Sequence, residues 1–249
     1  MRVVLPDTPR SDPVPAIVVF RGGAYASSSG SGAGTAEWIA TKGMVGIEAS
    51  YGARNTNTFY PANYADGARA IRLVRSRARD WGIDEHRVAV LGYSAGGHLA
   101  SLVSTQPSVY LDPGDDLAPG ISARPDLVVL GYPVISFIDG YSPGAFVGTV
   151  DNFFGQNDPN ETLRRQFSNE LHVESGHPPV FIWTTADDSL VPSAHSQLFA
   201  EACHRARVPV EFTRYPRGPH GMGLALDAQN EARGWTTLLL AWLARQWGA

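Results

Sequence analysis

Short apolar runs alternate along the chain with longer stretches in which apolar residues recur at helical spacing. The run at 16–20 has no polar position, as suits a strand buried on both faces of a sheet; 44–49, 88–91, 127–130 and 180–183 repeat its largely apolar character, and 210–215 completes the series of strands. Residues 3–5 supply an edge strand. Between these lie predicted helices at 35–41, 64–81, 95–104, 194–206 and 232–247. In the second, Ala68, Ile71, Val74 and Ala78 share a face, while Arg69, Arg72, Arg75, Arg77 and Arg79 occupy the others and read as a solvated side. Strands alternating with helices predict parallel βα units, hence an α/β fold with a mostly parallel sheet flanked by helices.

The stretch 137–176 breaks this alternation. It is rich in Gly, Asn, Asp and aromatics and stands where a βα crossover is expected, so it reads as a small lid inserted into a single domain spanning 1–249. At 249 residues and 43% apolar composition the chain can bury a substantial core. The net charge of −4, with both signs interleaved, argues against nucleic-acid and membrane partners and for a small, neutral substrate. The single cysteine, Cys203, excludes an internal disulfide and any multi-cysteine metal site, and is assigned to packing. Residues 1–10 hold no apolar leader and no stretch approaches a membrane span, so the expected location is cytoplasmic. A homo-oligomer is compatible with all of this.

The chemistry centres on Gly92-Tyr93-Ser94-Ala95-Gly96, directly after one apolar run and directly before a predicted helix. A strand turning sharply into a helix forces its central residue into a strained conformation, and glycines two before and two after let the chains pass. Ser94 is thereby read as a nucleophile. A helix cap, the bland alternative, needs no second glycine. A serine hydroxyl also needs a base. Of seven histidines, His98 lies on the same helix as the serine and suits a structural hydrogen bond. His86, His172, His177, His195 and His204 read as surface residues. His220 stands in a glycine-rich turn after the last strand, where open α/β sheets carry their reactive groups. The orienting acid is Asp187 or Asp188; Asp188, three residues before Val191-Pro192, is the better match to a D-x-x-V-P turn, leaving Asp187 as a turn carboxylate. Gly22-Gly23-Ala24 follows another strand end, and the amides of Gly23, Ala24 and Ala95 are candidate donors to an oxyanion.

In that order these pieces resemble the α/β-hydrolase superfamily, specifically its acetyl xylan and feruloyl esterase group, with hormone-sensitive-lipase-like and dienelactone-hydrolase-like relatives. The likeness covers most of the chain, including the segments 60–75, 81–100, 124–136 and 177–188 and the turn around His220. It implies an α/β-hydrolase fold and a serine carboxylesterase that hydrolyses short acyl esters, acetyl or feruloyl, of carbohydrates such as xylo-oligosaccharides through an acyl-enzyme, with Ser94 nucleophile, Asp188 acid, His220 base and Gly23, Ala24 and Ala95 as oxyanion donors. It implies neither cofactor nor metal. The usual first residue of the oxyanion signature, histidine or proline, is here Arg21, and Ala24 replaces its last glycine. One strand fits before residue 16 where the full fold has two. Tyr25, Phe59, Tyr60, Phe137, Phe153, Phe154 and Trp183 are candidate pocket linings as well as candidate core. The competing readings are a serine peptidase of the prolyl oligopeptidase type and a non-catalytic binding protein on the same scaffold.

Overall fold

A computed structural model describes residues 1–7, 12–108, 115–138, 147–156 and 160–248. In chain order the strands are β1 (Arg2–Val4), β2 (Val14–Phe20), β3 (Val45–Glu48), β4 (Ile83–Tyr93), β5 (Leu127–Gly131), β6 (Val180–Thr185) and β7 (Val210–Tyr215). The helices are α1 (Thr35–Thr41), α2 (Ala62–Ser76), α3 (Ala78–Trp81), α4 (Ala95–Thr105), α5 (Val147–Phe154), α6 (Glu161–Gln166), α7 (Ala194–Arg205) and α8 (Trp235–Trp247). The strands form one sheet in the order β1-β3-β2-β4-β5-β6-β7. Only β1 runs antiparallel, along the edge of β3.

Side chains of one strand alternate between two cores. Val18 and Phe20 join Val90, Leu99 and Phe199 on one face, and Ile17 and Val19 join Leu91, Trp183 and Trp235 on the other. This is why the central strands lack polar alternation. The predicted elements recur with shifted ends: 64–81 is divided at Arg77 into α2 and α3, and 232–247 begins as a 3-10 turn (Glu231–Gly234) before α8. Within 137–176 the described residues form α5, α6 and a 3-10 turn (Asn169–Leu171), while 139–146 and 157–159 lie outside the described residues. No helix among the described residues is long and apolar enough to cross a membrane. Cys203 is a buried, free thiol in α7.

Of the arginine series, Arg77 and Arg79 are exposed as expected of a solvated side, whereas Arg69, Arg72 and Arg75 of α2 are engaged with the chain around β5. Arg72 is 3% exposed, pairs with the buried carboxylate of Asp115, and donates to the carbonyls of Leu117 (3.2 Å), Ala118 (3.0 Å) and Ile121 (3.1 Å). Arg69 shares Asp115, and Arg75 pairs with Asp126 at 3.2 Å. The guanidinium forks thus hold the irregular approach to β5, satisfying carbonyls that no strand or helix partners. Arg72→Met is expected to destabilise the fold by about 2–4 kcal/mol, because Asp115 loses its buried guanidinium and keeps the partly exposed Arg69, while the carbonyls of Leu117, Ala118 and Ile121 lose a donor. Chemical denaturation reads this; a loss below 1 kcal/mol counts against it.

Two of the histidines read as surface residues are instead buried. Burial lowers the His98 ring from its ordinary 6.5 to about 3, and His177 and His195 to about 4. These rings stay neutral in the folded chain where the unfolded chain takes up protons, so stability falls on acidification from pH 6.5 towards 4. Each histidine adds a limiting slope of about 1.4 kcal/mol per pH unit. Glu170, raised by burial, opposes them as a single group. The urea midpoint is therefore expected to be lower at pH 5 than at pH 7, and equal midpoints would contradict the assignment.

Candidate active site

Sheet register performs the first part of the positioning. The strand order reverses between β2 and β4, and Phe20 pairs with Gly92 there, so the turn leaving β2 emerges beside Ser94. Further along, Tyr93 pairs with Gly131, Gly131 with Trp183, and Thr185 with Tyr215, which brings the C-terminal ends of β4 to β7 to one edge. A crevice outside the carboxyl ends at such a reversal is where this architecture gathers ligands.

Ser94 lies between β4 and α4 with φ 53° and ψ −120°. A Cβ on Gly92 would sit 2.2 Å from the Gly96 carbonyl oxygen, and one on Gly96 would sit 2.2 Å from that of Phe20. Both positions therefore require glycine. The strained turn is fixed by its own backbone: the Ser94 amide donates to the Gly131 carbonyl at 3.1 Å, and its carbonyl accepts from Val134 at 3.0 Å.

His220 reaches across to this serine. Its Nε2 lies 2.8 Å from Ser94 Oγ and its Nδ1 lies 2.7 Å from Asp188 Oδ2. The other Asp188 oxygen accepts from the amides of Leu190 and Val191, both at 2.9 Å. A buried carboxylate needs donors at both oxygens, and the turn after β6 supplies them. Since Asp188 can only accept, Nδ1 carries the ring proton and Nε2 is left to accept from the serine hydroxyl. Asp187 serves a different turn, accepting from the Gly218 amide at 2.7 Å two residues before His220. Tyr132, which the sequence did not single out, meets the His220 ring edge-on at 4.9 Å and accepts from the Gly223 amide at 2.7 Å. Nothing local marks it; its role depends on a turn more than eighty residues away.

Gly23 and Ala24 line, with Ser94 and His220, a cavity of about 390 Å³. No backbone hydrogen bond among the described residues uses the amides of Gly23, Ala24 or Ala95, whereas the Gly22 amide donates to Ser31 at 3.0 Å. Arg21 does not enter the cavity. Its guanidinium donates to the carbonyls of Ser29 (2.7 Å) and Gly30 (2.8 Å) and pairs with Glu48, folding the turn back on the strand end. His98 has the structural place expected of it: Nε2 donates to the Phe167 carbonyl at 2.8 Å and Nδ1 accepts from the Tyr25 hydroxyl at 2.9 Å.

The aromatic candidates do not line this cavity. Tyr25, Phe137, Phe153, Phe154 and Trp183 are core residues, and Phe59 and Tyr60 are half-buried behind α5. The walls are instead Thr149, Leu190, Val191 and Gly221. A larger groove of about 840 Å³ lies at the opposite ends of the strands, where Arg75 is already committed to Asp126.

A seven-stranded sheet in this order, with the serine turn after its central strand and the histidine turn after its last, is that of an α/β-hydrolase. The solved structure of an acetyl ester-xyloside bifunctional hydrolase from Caldicellulosiruptor lactoaceticus superposes with a TM-score of 0.85 at 36% identity, covering 98% of this chain and 87% of that one. Propionate-bound esterase 2 of the Planctomycetes species Thermogutta terrifontis gives 0.80 at 28% identity, over 99% and 88%. An acetylxylan esterase from Xylanibacter ruminicola is 31% identical over 226 residues, 88% of this chain but only 42% of that protein's length. The BD-FAE family model matches residues 1–203, and the chain belongs to that family.

Proposed function

We propose that this chain is a serine carboxylesterase that removes short acyl groups, acetyl foremost, from carbohydrate esters such as acetylated xylo-oligosaccharides. The observation that carries the reading is the continuous path from Ser94 Oγ through His220 to the buried Asp188, opening on a small cavity. The relatives named for acetyl ester and acetylxylan hydrolysis support the substrate class. As Ser94 Oγ attacks the ester carbonyl, its proton passes to His220 Nε2, and Asp188 stabilises the imidazolium. The negative charge moves to the carbonyl oxygen, within reach of the Gly23, Ala24 and Ala95 amides. His220 then returns the proton to the departing alcohol oxygen, and water repeats the sequence on the acyl-serine. Thr149 of α5 on the cavity wall supports reading 137–176 as a lid over the site.

The test is hydrolysis of p-nitrophenyl acetate, longer-chain p-nitrophenyl esters, acetylated xylo-oligosaccharides and an aminoacyl anilide by the purified chain. Turnover falling with acyl length and absent on the anilide is expected. A folded protein that cleaves only the anilide, or nothing, overturns the reading.

A further inference from the structure

The oxyanion turn holds two strained residues that α4 and β2 do not themselves secure. Ala24 and Tyr25 both lie at φ 52°, a left-handed conformation that residues with a side chain keep only when their surroundings hold them there. The turn's own amides of Ala26 and Ser27 donate to the Gly23 carbonyl (2.9 and 3.2 Å), and further holding groups come from elsewhere in the chain. Arg54 and Asn55 donate their amides to the carbonyls of Tyr25 (2.8 Å) and Ala26 (3.0 Å). The Ala24 carbonyl accepts from Asn152 Nδ2, on α5, at 2.9 Å. Asn152 Oδ1 in turn accepts from Arg54 Nε. Because a guanidinium can only donate, it fixes which end of the Asn152 amide is oxygen and leaves the NH2 facing Ala24. The neighbouring Phe153 packs edge-on against the Tyr25 ring at 5.0 Å, and its carbonyl accepts from the Tyr60 amide at 2.8 Å, which seats α5 on the turn.

We infer that Asn152, oriented by Arg54, is a positioning residue for ester hydrolysis: by holding the Ala24–Tyr25 peptide it keeps Ala24 in its left-handed conformation, so that the Ala24 amide, one peptide back, faces the developing oxyanion. This rests on the esterase reading above. Asn152 touches no reacting atom; it acts by holding ψ of Ala24, and an error of an ångström there weakens donors that work only when pre-aimed. Helix α5 thus completes the oxyanion site as well as walling the cavity, so the insertion belongs to the catalytic machinery.

Asn152→Asp separates positioning from docking. The carboxylate keeps the Arg54 pair, so α5 stays seated, but an acceptor now faces the Ala24 carbonyl. Asn152→Ala removes both contacts. On p-nitrophenyl acetate both variants are expected to lose about 10- to 100-fold in kcat with KM within about twofold. Binding of a trifluoromethyl ketone, which forms a tetrahedral oxyanion on serine, should weaken by the same factor. The melting temperature of Asn152→Asp should stay within a few degrees of the wild type. A kcat and ketone affinity for Asn152→Asp within about twofold of the wild type, or a loss confined to KM, overturns the inference. A wild type that neither hydrolyses the ester nor labels with a fluorophosphonate overturns the esterase reading and this inference with it; a wild type that does both, beside an unaffected Asn152→Asp, overturns the inference alone.

Discussion

Ser94→Ala is expected to lower kcat on p-nitrophenyl acetate by about 10⁶-fold while leaving the chain folded, since removing a triad nucleophile leaves only binding and oxyanion stabilisation. The hydroxyl contributes little else. Its oxygen meets His220 Nε2, and the surrounding turn is held through the backbone to Gly131 and Val134, which alanine preserves. Fluorophosphonate labelling should therefore disappear with thermal stability nearly unchanged. The strain of the elbow makes a second, independent statement. At φ 53° a Cβ is disfavoured, so Ser94→Gly should be more stable than Ser94→Ala by about 1 kcal/mol, the relief of left-handed strain less the entropy glycine loses on folding. A Ser94→Ala protein retaining even a hundredth of wild-type turnover would remove the serine from its proposed role.

What the sequence made legible follows from how local each signal is. The elbow announces itself because two backbone approaches, at Gly92 and Gly96, forbid any Cβ, and that requirement is written within five residues. The sheet was readable because strands buried on both faces carry continuous apolar runs. The buried state of Arg72 was not readable, because its carboxylate partner lies 43 residues further on, in an irregular segment with no periodicity of its own. His177 and His195 failed for the same reason: flanking proline, serine and glycine resemble a surface loop, and only the packed chain shows that other elements cover them. The aromatic candidates illustrate a second limit. Composition cannot tell a ring that lines a cavity from one that fills the core behind it, and the cavity is walled instead by small and aliphatic residues. Asn152 carried no signal at all, being one asparagine on a short helix whose partner carbonyl lies 128 residues away.

The adjacent pair Asp187 and Asp188 gives the sharpest discrimination. Asp188→Asn is expected to lower kcat by about 10⁴-fold, because an amide at this place favours the wrong imidazole tautomer and leaves the imidazolium without its counter-charge. The protein should still fold. The asparagine oxygen can go on accepting from the Leu190 and Val191 amides, so the turn after β6 keeps its hydrogen bonds. Asp187→Asn should cost less than about tenfold, since its contact with the Gly218 amide needs only an acceptor, which asparagine also provides. Asp187→Ala, by contrast, frees the Gly218 amide and loosens the turn that carries His220, so its loss should fall between the other two and come with a lower melting temperature. Steady-state kinetics of the three variants beside their melting curves tests the assignment. If Asp187→Asn collapses turnover while Asp188→Asn spares it, the acid of the proposed triad is Asp187.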